Sequence, residues 1–162
     1  MENQEIARIY KQTERLTLIL LILALPAFGM VYIYQSSGNV GWDLPALPEF
    51  LVWVLVGLSS LLLVVQFVLF QKKIRLSFQR VELLEKVKIY SKATDQRFLI
   101  LFLVSILTTV GLLLSKNPVF TVLFALVLVF FSLGKPSPDR MARLMKLKKE
   151  DRELLREASR PG

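Results

Sequence analysis

The chain contains no cysteine and no histidine. Those two absences remove disulfides, thiol nucleophiles, thiolate and imidazole metal ligands, and the commonest general base. A thiol oxidase built on a four-helix bundle and a haem bundle ligated by two histidines are both excluded. Charge is locally scarce as well. Residues 16–34, 50–70, 98–115 and 117–133 contain no Asp, Glu, Lys or Arg. Without an ionisable group in these stretches, a proton-coupled exchanger built around a membrane carboxylate loses its carrier. The serines after Gly57 lack a histidine or lysine to act as base, so a serine hydrolase reading fails too. Gly-rich phosphate loops and carboxylate metal motifs are missing. The expectation is a protein that is not an enzyme and holds no cofactor and no metal.

The four uncharged stretches themselves dominate the chain of 162 residues, which is 54% hydrophobic. Runs of about 17 to 21 residues cover about 25 to 32 Å as helix, the thickness of a bilayer core. The predicted fold class is therefore all-α: a polytopic membrane protein of four transmembrane helices arranged as two hairpins, with amphipathic cytoplasmic helices. Residues 16–34 and 50–70 form the first hairpin around an outer loop, 35–49; residues 98–115 and 117–133 form the second. The amino-terminal segment 1–15, a joint at 71–97 and a tail at 134–162 carry the charge. Of the 21 Lys and Arg, all but Lys116 lie in those three segments. Lysine and arginine near span ends set topology, so both termini and the joint are expected on the cytoplasmic side.

Along the chain, Ile6, Ile9, Tyr10, Thr13 and Leu16 recur at helical spacing and lead into the first span. Pro26 marks a bend. Trp42, Leu44 and Leu47 suggest a loop lying on the membrane surface. The joint reads as a helical extension of the second span with two apolar edges, Ile74, Phe78, Val81 and Leu84 against Leu76, Leu83, Val87 and Tyr90, which asks for two neighbours. Ser137, Pro138 and Asp139 spell a helix start, and the tail beyond it is amphipathic. The two halves also look alike, with Ile9 and Tyr10 answering Ile89 and Tyr90, and Gly29 answering Gly111; parallel duplication and chance similarity both account for this.

Two groups of residues are candidates for function. Gly57, Ser59, Ser60, Gln66, Ser105, Thr108 and Thr109 are small or polar positions within the spans, suited to helix packing or to lining a pore. Lys72, Lys73, Arg75, Arg140, Arg143, Lys146, Lys148 and Lys149 are placed to meet anionic lipids of the inner leaflet. The tail has no aromatic residue to stack on a base, so no nucleic acid is expected. The turn formed by Lys135, Pro136 and Ser137, followed by Leu144 and Leu147, resembles that of small four-span proteins of the bacterial inner membrane whose last span ends in a basic-Pro-Ser or basic-Pro-Thr turn and a charged helical tail. The resemblance implies that location and carries no activity. The expected function is that of a scaffold or accessory subunit, with a second membrane protein or further copies of the chain as partner. A passive channel formed by several copies is the alternative.

Overall fold

The computed structural model describes residues 2–38 and 44–159. Among them the chain forms six helices and no strand: α1 (Glu2–Ser36), α2 (Glu49–Ser77), α3 (Leu83–Ser115), α4 (Val119–Gly134), α5 (Pro138–Leu144) and α6 (Lys149–Ser159). Helices α1, α2 and α3 are each long and apolar enough to cross a bilayer. The short α4 reaches about 24 Å at 1.5 Å per residue. It joins them if it is counted with α5, which meets it at 87° across a short break, as one broken span.

Helix α3 is the axis of the bundle. It packs along α1, α2 and α4, whereas α1 and α2, consecutive in sequence, make at most glancing contact with each other. The reason lies in the spacing of buried positions. On α3, Leu83, Val87, Tyr90, Thr94, Arg97, Leu101, Val104 and Thr108 are all buried, alternating steps of four and three. Ile6, Tyr10, Thr13, Thr17, Leu20 and Ala24 repeat the same steps on α1. Alternating steps of four and three are the spacing by which one helix keeps a single face turned to its neighbour along its length. A second set on α3, which includes Phe98 and Gly111, faces α4: Phe98 packs on Phe131 with ring centroids 5.2 Å apart, and Gly111 lies under Phe120.

The joint differs from its predicted form. Instead of one helical extension of α2, the chain ends α2 at Ser77, turns, and restarts at Leu83 as the first residue of α3. The predicted apolar edges are divided accordingly. Leu83, Val87 and Tyr90 are buried, while Leu76, Phe78 and Val81 are exposed, Val81 at 91%. A turn is needed because α3 must run back antiparallel to α2 with Phe70 against Tyr90, ring centroids 6.4 Å apart.

Two hydrophobic cores result. One fills the bundle, from Leu20, Phe28, Leu63, Leu101, Val127 and their neighbours. The other gathers Ile6, Tyr10, Ile74, Val87, Met141, Met145 and Leu155 at the end of the bundle where the basic residues lie. Helix α6 packs on α1 and on α5, so the amino-terminal helix, the start of α3 and the tail share this second core. Its corner is pinned where the Tyr10 hydroxyl donates to the Pro136 carbonyl at 3.2 Å. Ser137 caps α5, accepting from the Arg140 backbone N–H at 3.2 Å, as the Ser-Pro-Asp sequence predicts. At the opposite end the Gln35 amide donates to the carbonyls of Leu112 and Leu113, tying α1 to α3. There the Leu47 backbone N–H lies 3.4 Å from the Leu114 carbonyl. Of the surface-lying loop predicted, Leu47 is half-buried and Leu44 exposed, while Trp42 lies outside the described residues.

Candidate functional site

The seven small or polar span residues do not form one surface. Ser59 and Gln66 are fully buried on the face of α2 that also carries Val52, Leu63 and Phe70. Gly57 and Ser60 point the other way, with open space around Gly57 and the Ser60 hydroxyl donating back to the Val56 carbonyl at 2.8 Å. On α3, Ser105 and Thr108 are buried and Thr109 half-buried. All three donate to carbonyls one turn earlier on their own helix: Ser105 to Phe102, Thr108 to Val104 and Ser105, Thr109 to Ser105. Their hydroxyls are thereby satisfied within α3. Ser105 and Thr109 also line a shallow groove of about 150 Å³ with Ala24 and Ala27 of α1. Among the described residues, neither amide atom of Gln66 has a hydrogen-bond partner, nor does the Ser59 hydroxyl. The polar groups are thus divided: Ser59, Gln66 and Thr108 are enclosed inside the bundle, while Ser60 is exposed and Ser105 and Thr109 border the groove beside α1.

The basic candidates lie at the other level of the molecule. Lys72 and Arg75 are exposed at the end of α2, with Lys73 half-buried between them. Arg143, Lys146, Lys148 and Lys149 are exposed around α5 and the start of α6, and Lys146 places its ammonium 5.3 Å from the Phe78 ring centroid. Arg140, Arg143, Lys146 and Arg152 line a cleft of about 470 Å³ together with Ser137 and Asp139. Asp139 is committed to the tail. Its carboxylate accepts from Arg152 at 3.1 Å and from Arg156 at 2.8 Å, and these hydrogen bonds hold it below the usual carboxylate range. A depressed carboxyl favours the folded tail above the unfolded carboxylate range, and that contribution is lost as pH falls through the folded value.

Composition places Arg97 in the basic joint, and sequence reasoning passes over it. The residue is only 5% exposed, and its guanidinium carbon lies 4.9 Å from the Phe70 ring centroid. The signal is present in the steps of four and three, which run through Arg97 without interruption from Leu83 to Thr108.

Comparison with family models, with curated proteins and with solved structures finds no match to this chain.

Proposed function

We propose that the protein is a non-catalytic scaffold or accessory subunit of the bacterial inner membrane, crossing it four times with both termini and the joint in the cytoplasm. The observation that carries this reading is the second core. Ile6 and Tyr10 of α1, Val87 of α3, Met141 and Met145 beside α5, and Leu155 of α6 hold the charged segments together as one packed platform beneath the bundle. A platform of this kind presents Lys72, Arg75, Arg143, Lys148 and Lys149 outward, where each unpaired basic residue near an anionic leaflet contributes about 1 kcal/mol. The apolar outer faces of α1 and α2, with Ile22, Met30, Ile33, Leu61 and Val64 exposed, suit lipid or a second membrane protein.

The channel alternative draws less support from the geometry. A pore assembled from several copies takes its polar lining from the protomer's outside, where Gln66, Ser59 and Thr108 do not lie; the outward Ser60 and the groove-lining Thr109 spend their hydroxyls on carbonyls of their own helices. The test combines two readouts. The protein reconstituted in liposomes is expected to conduct no more ions than protein-free vesicles, and native mass spectrometry of gently released material is expected to show a stoichiometric complex with a second polypeptide. Gln66→Leu is expected to fold at least as stably as the parent, with a gain of about 1 to 2 kcal/mol, because it removes two buried groups that have no partner among the described residues. A conductance that Gln66→Leu abolishes, in a homo-oligomer with nothing else bound, overturns the scaffold in favour of a channel.

A further inference from the structure

A cavity of about 470 Å³ lies between the opening turns of α1 and the start of α3, with Arg8, Ser91, Lys92 and Asp95 in its walls. Lys88 and Glu5 line it too and neutralise each other at 2.8 Å. Arg8, Lys92 and Asp95, by contrast, make no salt bridge among the described residues. The two cations are exposed. Asp95 is half-buried, and its Oδ1 is enclosed with no hydrogen-bond partner among the described residues. Ser91 is 4% exposed, and its hydroxyl is likewise enclosed and unpartnered among them. Two free cations beside a free carboxylate and a spare hydroxyl match a ligand that carries both signs itself. A phosphate suits Arg8 and Lys92, and an ammonium, with three N–H donors, suits Asp95.

What continues from the cavity names the source of that zwitterion. On α3, Lys92, Asp95, Leu99, Phe102, Ile106 and Thr109 follow at alternating steps of three and four, which keeps them on one face. On α1, Arg8, Gln12, Leu23 and Ala27 share a face in the same way, at separations of four, eleven and four. The far ends of these two stripes line the apolar groove of about 150 Å³, where Leu23 and Ala27 lie with Phe102, Ile106 and Thr109. Ala27 also borders a further apolar groove of about 310 Å³ with Met30, Val31 and Leu113. Ile19 and Leu99, at the level between cavity and grooves, are exposed. One side of the α1–α3 interface is therefore charged before the uncharged runs begin, at Leu16 and Phe98, and an apolar trough within them. On the membrane crossing by α1 and α3 proposed above, on which this inference rests, the cavity stands at headgroup depth and the trough beside the acyl chains. We propose that this side of the α1–α3 interface binds a phospholipid with a primary-amine headgroup, of the phosphatidylethanolamine class. Its phosphate sits on Arg8 and Lys92, its ammonium on Asp95, and one acyl chain runs along Ala27.

The experiment uses the full chain in nanodiscs of equal parts phosphatidylcholine, phosphatidylethanolamine and phosphatidylglycerol. Lipid retained on ejection from the disc is identified by native mass spectrometry. Phosphatidylethanolamine is expected to stay bound in preference to both others. Phosphatidylcholine offers the same phosphate but a methylated ammonium with no N–H to donate, and phosphatidylglycerol has no ammonium. Asp95→Asn is expected to lower retention of phosphatidylethanolamine about tenfold, and Glu153→Gln, which removes an exposed carboxylate on α6, to leave it unchanged. Ala27→Phe is expected to lower it as well. Because Ala27 is exposed, the larger ring fills the trough without entering the core, and that variant keeps the test open if Asp95→Asn fails to fold. Equal retention of the three lipids, or retention of phosphatidylglycerol first, overturns the site in favour of general attraction to the basic surface. Retention that ignores Ala27→Phe but yields to millimolar phosphoethanolamine overturns the lipid as occupant and leaves a site for a soluble zwitterion. A second polypeptide released by Ala27→Phe, with the lipid still bound, gives the trough to a partner's helix and overturns the proposal too. Loss of the preference with an intact partner complex refutes this inference alone, whereas conductance refutes the scaffold alone.

Discussion

Gly111→Ala is expected to destabilise the docking of α4 on α3 by about 1 to 3 kcal/mol, and Gly111→Leu to prevent it. A Cβ built on Gly111 would stand 2.4 Å from Cε1 and 2.6 Å from Cζ of Phe120, well inside contact distance. Phe120 cannot swing aside at low cost, because its ring is fully buried in the main core and it lies at the first turn of α4. The helix is short, so a displacement at that end is felt along much of its contact with α3. Gly29 and Gly57 provide the internal control, since an added Cβ meets nothing within 4 Å at either. Alanine there is expected to leave stability unchanged or raise it by up to about 1 kcal/mol through helix propensity. Denaturant titration in mixed micelles reads all three. If Gly111→Ala behaves like Gly29→Ala, the close approach of α3 and α4 is wrong.

Leu155→Asp is expected to release the tail from the second core at a cost of about 3 kcal/mol or more, enough to leave α6 undocked. Leu155 is fully buried where α6 meets α1. Burying an unpaired carboxylate there is far more costly than leaving it in water. Helix α6 has only 11 residues and cannot persist alone, since isolated helices of that length are marginal. The readout is trypsin cleavage at Lys148, Lys149 and Arg152, slow in the parent and rapid in the variant, with the bundle's helical signal retained. Leu154→Asp, one position away and 38% exposed, is expected to change little. A tail equally resistant in both variants would mean that α6 is not anchored through Leu155, and would remove the main support for a cytoplasmic platform.

The all-helical class and the four apolar stretches are legible in the sequence because an uncharged run of that length satisfies its backbone most simply as a helix. Which helix is central is not legible in the same way. Hydropathy counts apolar residues without regard to face, and α3, which has neighbours on three sides, is no more apolar than α2, which has fewer. The information lies in spacing: the steps of four and three from Leu83 to Thr108 pass through Tyr90, Thr94 and Arg97, residues that composition assigns to a charged joint. Following that period starts α3 at Leu83 and buries Arg97. Gln66 and Ser59 show the same limit from the other side. Their polarity within a run is plain, but whether they face lipid, a second copy or the protomer's own interior depends on where α3 lies. The tail is the most readable charged segment, because Ser137, Pro138 and Asp139 fix a helix start by local chemistry alone.

The central claim is that all the charged segments meet on one side of the membrane, which requires the short α4 to cross it. The absence of native cysteine makes that directly measurable, since any thiol introduced is the only one present. Ser36, Gln79 and Ser159 are suitable positions: the first two are exposed and Ser159 is part-exposed, whereas Ser77 is buried and would report poorly. In intact cells a membrane-impermeant maleimide is expected to label Ser36→Cys, and to label Gln79→Cys and Ser159→Cys only after the membrane is opened. Labelling of Ser159→Cys from outside, with Gln79→Cys protected, would place the tail and the joint on opposite sides and contradict the platform on which the proposed function rests.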